Sequence, residues 1–136
     1  MKILVVDDSA TMRKIIMKAV RDVGFGVEFA EAGDGIEGLE QLAKDEFALV
    51  LSDVNMPRMD GIQFARCVRD RKALAATAVG DKDLIKRIGN SVPIVMVTTE
   101  GGLEKVQQAM AAGASDWLKK PFTSRELREK IGKYLG

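Results

Sequence analysis

The 136-residue chain is long enough for one domain with a substantial core and too short for two. Apolar residues make up 46% and charged residues 30%, and 21 basic against 20 acidic residues leave a net charge of +1, which excludes a broad positive field for nucleic acid or an anionic membrane. There is no histidine and a single cysteine, Cys67, so histidine-based catalysis, histidine-ligated zinc and an internal disulfide are excluded as well.

A first strand is predicted over 3–6, where Ile-Leu-Val-Val forms a short run that stops at Asp7 and Asp8. That run is too short for a secretory signal, so none is expected. Residues 10–23 set Met12, Ile15, Ile16, Ala19, Val20 and Val23 at helical spacing. A second strand over 27–30 leads to a helix over 35–44, with Asp34 as its N-cap. A third strand over 48–51 is followed by Asp53 and by a helix over 61–71. The fourth strand, 92–97, runs into Thr98 and precedes a helix over 102–112. The fifth strand, 115–118, precedes Lys120, and a last helix over 124–135 opens on the capping box Thr123-Ser-Arg-Glu126. No apolar run approaches the ~20 residues of a membrane span, and a cytoplasmic location without membrane insertion is expected.

Strands alternating with helices predict an α/β fold around a parallel sheet. The third and fourth strands are continuously apolar, as suits a sheet covered on both faces. In such open sheets ligands bind beyond the carboxyl ends of the strands. One connection is unusual: 72–91 far exceeds the roughly 2–6 residues of an ordinary αβ loop. Leu84, Ile85 and Ile88 sit within it at helical spacing and predict an extra short helix. It enters the fourth strand at its amino end, so it is expected to shape a surface away from the chemistry.

Asp7, Asp8, Asp53, Thr98 and Lys120 all follow strands and would meet at one sheet edge. Close carboxylates repel: unit charges 4 Å apart interact by about 4 kcal/mol at an effective dielectric near 20. A cation among them relieves this, and magnesium suits an oxygen donor set. Three carboxylates against Mg²⁺ and the Lys120 ammonium are then charge-balanced. A carboxylate is also a competent nucleophile toward phosphorus. Asp53, in the middle strand, is the best placed nucleophile, with Asp7 and Asp8 as metal holders. Thr98 and Lys120 would each engage a phosphoryl oxygen.

Four stretches carry a resemblance to a known family: Val-Val-Asp7-Asp8-Ser-Ala-Thr-Met-Arg, Ser-Asp53-Val-Asn55-Met-Pro57-Arg-Met-Asp60-Gly61, Met-Val-Thr98-Thr-Glu100, and Gly113-Ala-Ser-Asp-Trp117-Leu-Lys-Lys120-Pro121-Phe122-Thr. The chain resembles response-regulator receiver domains, and among them the stand-alone chemotaxis receivers, over 1–136 apart from 72–91, which reads as an insertion. The resemblance implies a flavodoxin-like, doubly wound sheet of order 2-1-3-4-5 with helices on both faces. It implies that a histidine kinase phosphorylates Asp53 and that the acyl phosphate is slowly self-hydrolysed. Magnesium, with manganese as a substitute, would be held by Asp8 and Asp53, by Asp7 through water, and by the backbone carbonyl of Asn55. Lys120-Pro121 resembles the family's cis peptide, and Thr98 and Trp117 its switch pair. Asn55 and Glu100 occupy the positions that tune phosphoryl lifetime, in a pairing that resembles the fast-cycling chemotaxis type.

Two residues depart from the family pattern. Trp117 stands where the aromatic residue is usually Tyr or Phe, and its bulk is expected to limit inward rotation. Thr99 stands where a small residue is usual and is expected to narrow access to Asp53. The output surface is expected over 101–135. Its expected partner is a flagellar motor switch protein, or a histidine phosphotransfer protein if the chain is an intermediate in a phosphorelay. A phosphatase is a further expected partner, and the protein is expected as a monomer or a weak phosphorylation-dependent dimer.

Each residue has an ordinary reading by itself. Asp7 and Asp8 could cap the first helix, Asp53 could be a turn residue, and Trp117 could be simple packing. Their joint occurrence at successive strand ends argues against coincidence. A haloacid dehalogenase-type phosphatase would want Asp-x-Asp after the first strand, where this chain has an adjacent pair. A flavodoxin-type carrier would want a hydroxyl-rich phosphate loop there. A degenerate receiver would have lost Asp53, Lys120 or an acidic partner.

Overall fold

The computed structural model describes residues 1–77, 86–89 and 91–135. The strands are β1 (Lys2–Val6), β2 (Glu28–Ala32), β3 (Leu49–Ser52), β4 (Ile94–Thr98) and β5 (Asp116–Lys119). The helices are α1 (Ala10–Asp22), α2 (Gly35–Lys44), α3 (Gly61–Arg69), α4 (Arg71–Ala75), α5 (Leu103–Ala112) and α6 (Ser124–Leu135). The strands form one parallel sheet in the order β2-β1-β3-β4-β5. This is the doubly wound architecture expected from the alternation of elements.

Side-chain alternation along each strand divides the core into two layers. Leu4, Val6, Val50, Ile94 and Met96 point to one face, where Leu39 and Leu42 of α2, Phe64 and Val68 of α3, and Ala109 of α5 cover them. Ile3, Val5, Leu49, Leu51, Val95 and Val97 point to the other, against Ile16 and Val20 of α1 and Leu127 and Ile131 of α6. Every residue of β3 and β4 is buried, which explains their unbroken apolar sequence.

Local chemistry fixes the helix ends. Ser9, Asp34 and Asp60 cap α1, α2 and α3 by accepting from backbone N–H groups, and Asp60 forms a reciprocal capping box with Gln63. Thr123 and Glu126 exchange the predicted pair of bonds at the start of α6. The helix predicted over 61–71 is broken at Asp70, whose side chain caps α4 instead. At the end of α5, Gly113 has φ 114°, and a Cβ there would lie 2.3 Å from Cγ of Arg69.

The long connection before β4 is tied to the core at both of its described ends. Leu74 of α4 and Ile88 are fully buried in the layer that α2 and α3 cover. Lys86 and Arg87 are helical, whereas Leu84 and Ile85 lie outside the described residues. No helix among the described residues is long and apolar enough to cross a membrane.

Candidate functional site

The candidate groups gather at the carboxyl end of the sheet, where β1 and β3 stop level and β4 runs two residues further, to Thr98. Val6 pairs with Ser52 in the ladder, and Ser52 pairs with Met96. The backbone continues one step further on each side: Asp7 N–H donates to the Ala32 carbonyl at 3.0 Å and Asp53 N–H to the Val6 carbonyl at 2.8 Å. Asp7, Asp8 and Asp53 therefore leave the sheet together. A carboxylate oxygen from each lies within 4.8 Å of the other two, a spacing and donor set that suit a hard divalent cation such as magnesium.

The three carboxylates differ in surroundings. Asp7 is 1% exposed, Asp53 is half-buried and Asp8 is exposed. Burial pushes the Asp7 carboxyl up from its ordinary value, against the opposing pull of the Ser9 N–H and the Lys120 ammonium. Ser9 N–H donates to Asp7 Oδ1 at 2.9 Å, and Val54 N–H to Asp53 Oδ1 at 2.7 Å.

Lys120 reaches the cluster from the far side of the sheet. Its backbone N–H donates to the Thr98 carbonyl at 2.8 Å, and the Lys120-Pro121 peptide is cis. Its ammonium lies 3.3 Å from Asp7 Oδ2 and 3.9 Å from Asp53 Oδ2, with its side chain only 10% exposed. A half-buried cation beside three carboxylates offsets part of their repulsion, and it stands where an anionic group added to Asp53 would meet it.

The loop after β4 forms the remaining wall. Thr98 is fully buried, and its hydroxyl accepts from the Glu100 N–H at 3.3 Å. Glu100 Oε1 accepts from Asn55 Nδ2 at 3.2 Å, and the Glu100 carbonyl accepts from the Trp117 indole N–H at 3.0 Å. Trp117 lies opposite Met96 in the β4–β5 register and packs half-buried against the layer under α5. Asn55 is exposed, and among the described residues no donor reaches its backbone carbonyl. Thr99 is exposed and, with Lys120, borders a groove of about 390 Å³ that Met12, Ile15, Pro121 and Phe122 also line.

Close backbone packing holds Asp53 in place. Gly61 N–H donates to the Val54 carbonyl at 2.7 Å, and a Cβ at Gly61 would lie 2.1 Å from the Asp53 carbonyl oxygen. Only a glycine admits that approach. The Ser52 hydroxyl donates to the same carbonyl at 2.9 Å.

The structure thus brings Asp7, Asp8, Asp53 and Lys120 into one cluster and links Asn55, Thr98, Glu100 and Trp117 beside it. Sequence reasoning missed the residues that brace these loops. Arg13 donates to the Asp7 carbonyl and to Glu31, and Arg58 donates to the buried Asp34 carboxylate at 2.7 Å from a backbone with φ 61°. Nothing in the local pattern of Arg13 or Arg58 marks them, because their partners arrive only with the fold.

Comparison with known proteins agrees with this geometry. The family model for the response regulator receiver domain matches residues 3–132. The chain is 38% identical over 133 residues to chemotaxis protein CheY-3 of Vibrio cholerae, covering 98% of this chain and 90% of that protein. The solved structure of the chemotaxis response regulator CheY4 of Vibrio cholerae superposes with a TM-score of 0.75 at 35% identity over 98% of both chains. The receiver domain of the sensor histidine kinase PA1611 of Pseudomonas aeruginosa, solved with a magnesium ion coordinated in its active site cleft, shares the fold with a TM-score of 0.74 at 24% identity, over 99% of this chain and 97% of that one. The sheet order, the clustered strand-end carboxylates and a match spanning nearly the whole chain lead to one conclusion: this chain belongs to the response regulator receiver domain family.

Proposed function

We propose that Asp53 accepts a phosphoryl group from a phosphohistidine of a kinase, in a magnesium-dependent transfer that alters a partner-binding face. The observation that carries this reading is the joint placement of three carboxylates within 4.8 Å of one another and an ammonium 3.3 Å and 3.9 Å from two of them. A carboxylate oxygen of Asp53 attacks phosphorus as the N–P bond of the donor breaks, and the departing imidazole is protonated on leaving. Asp53 serves better than its neighbours, because Asp7 is buried and engaged by Ser9 and Lys120, while Asp8 is exposed at the rim.

Asp8, Asp53, the free Asn55 carbonyl and, through water, Asp7 would hold magnesium, which when bound supplies charge neutralisation on the transferring group. Manganese, with a similar preference for oxygen ligands, is proposed as its substitute. Lys120 holds its cation 3.9 Å from Asp53 Oδ2, within reach of a phosphoryl oxygen on that carboxylate. Thr98 hydroxyl contacts a second oxygen after giving up its bond with the Glu100 N–H. That exchange moves Glu100, and with it the carbonyl that holds the Trp117 indole. Phosphorylation adds charge at Asp53 and so biases a two-position element at some distance from it. Asn55 and Glu100, bonded to each other at 3.2 Å, are the candidate regulators of phosphoryl lifetime.

Likeness over nearly the full length to chemotaxis proteins supports chemotaxis as the pathway. A flagellar motor switch protein is then the proposed partner of the face formed by α5, β5 and α6. The test uses Trp117 as the sole indole reporter. Magnesium followed by acetyl phosphate or beryllofluoride is expected to change its fluorescence in wild type and not in Asp53→Asn. An equal change in both proteins, or no change together with no phosphate incorporation, would overturn the proposal.

A further inference from the structure

Arg13 is a charged side chain that contacts the metal-site loop and that the proposed chemistry leaves without a role. Its side chain is only 18% exposed. Nη1 donates to the Asp7 carbonyl oxygen at 2.6 Å, while Nε donates to Glu31 Oε1 at 2.9 Å. The guanidinium thus spans from β2 to the loop after β1. Its charge is met by Glu31, so what it adds to the cluster is direction more than charge.

The Asp7 peptide is consequently gripped at both ends. Its N–H is fixed by the Ala32 carbonyl, its carboxylate by Ser9 and Lys120, and its carbonyl by Arg13. Asp8 presents the opposite case. Among the described residues no hydrogen bond or ion pair reaches its carboxylate, and it is the exposed member of the triad. Only its backbone orients it. The peptide unit joining Asp7 to Asp8 is oriented by the carbonyl that Arg13 holds, so turning that carbonyl would swing Asp8 away from Asp53.

We infer that Arg13 is a positioning residue for the divalent cation: clamped by Glu31, it orients the Asp7–Asp8 peptide so that the Asp8 carboxylate faces Asp53. The inference rests on the magnesium reading given above. Partners in this outer position commonly change metal affinity by about 10- to 100-fold when removed. A planar guanidinium can bond two acceptors in fixed directions, whereas an ammonium on a flexible stem holds neither direction.

The experiment is calorimetric titration of Mg²⁺ into wild type, Arg13→Met, Arg13→Lys and Glu31→Gln, with thermal melting of each metal-free protein. A wild type that binds no Mg²⁺ would sink the magnesium reading itself. Given binding by wild type, Arg13→Met is expected to raise Kd by about 10-fold or more, and Arg13→Lys to resemble it. Glu31→Gln, at an exposed edge-strand position, is expected to fold normally and to raise Kd to a smaller extent. Unchanged Kd in the Arg13 variants that melt cooperatively would overturn the inference. So would full recovery by Arg13→Lys, which would assign the effect to charge rather than direction. If both Arg13 variants fail to fold, unchanged Kd in Glu31→Gln overturns it equally.

Discussion

The indole Nε1–H of Trp117 donates to the backbone carbonyl of Glu100 at 3.0 Å, which ties the half-buried aromatic side chain on β5 to the loop after β4. The buried hydroxyl of Thr98, the last residue of β4, accepts from the Glu100 N–H of the same loop, so Glu100 bonds both Thr98 and Trp117. Trp117→Phe keeps most of the packing and removes the bond. It is expected to cost about 1 kcal/mol, read from denaturant unfolding. It is also expected to weaken the response of the α5–β5 surface to beryllofluoride, followed by amide chemical shifts of 101–119.

Lys120 is the one ammonium among the described ion pairs that meets the carboxylate cluster. Lys120→Met leaves the cluster without it and removes the cation facing Asp53. Phosphorylation by acetyl phosphate at saturating magnesium is expected to fall by about 10²-fold or more, the range seen when a preorganised charge-stabilising donor is lost. Retention of the wild-type rate would mean that Lys120 only pairs with Asp7.

Gly61 packs against the backbone of Asp53, not against a side chain that could move aside. Gly61→Ala forces a Cβ to within 2.1 Å of the Asp53 carbonyl oxygen unless the backbone shifts. The expected destabilisation is about 3 kcal/mol, the upper end for overpacking, and the displaced Asp53 should phosphorylate more slowly. Urea unfolding and ³²P incorporation measure the two effects separately.

Asp34 caps α2 and accepts Arg58 Nε at 2.7 Å while 5% exposed. Burial pushes its carboxyl up, but the bonds from Arg58 and the Glu37 N–H outweigh that, and the net displacement is below the ordinary carboxylate value. A depressed folded pKa contributes stability that is present above the unfolded value near 3.9 and is lost as pH falls through the folded one. Asp34→Asn keeps an oxygen for the cap and removes the titrating charge. Its stability is expected to fall less steeply than that of wild type below about pH 4, measured by thermal melting across pH 2–6.

Leu74 and Ile88 bury the two described ends of the long connection in the layer beneath α2 and α3. Leu74→Ala is expected to cost about 2–5 kcal/mol, as for other fully buried leucines. A cost under about 0.5 kcal/mol, typical of surface substitutions, would make α4 an appendage of the core.

Much of the architecture was legible without coordinates, because short continuous apolar runs and stripes of period 3.6 are local properties of the chain. The identity of the five strands follows from them, and so does the meeting of Asp7, Asp53 and Lys120 beyond their carboxyl ends. β2 was less legible: expected over 27–30, it spans Glu28–Ala32, because pairing of Glu31 with Val5 and Ala32 with Val6 extends it through residues whose own pattern is polar or neutral. Position 70 was missed for a related reason, since Asp70 both closes α3 and caps α4, and only the observed backbone decides between continuation and a new start.

The sequence by itself determined which groups meet here, since carboxylates, a hydroxyl and an ammonium placed at the ends of apolar strands gather at one edge of a parallel sheet. Tertiary structure alone decided how those groups are held. The bonds of Arg13 with Asp7 and Glu31, Arg58 with Asp34, Asn55 with Glu100 and Trp117 with Glu100 join loops from separate strands. Such contacts leave no periodic trace in a chain, because they depend on where whole elements pack and on directions of single side chains. They appear only once the sheet has set its strand order and the two helical layers have closed over it.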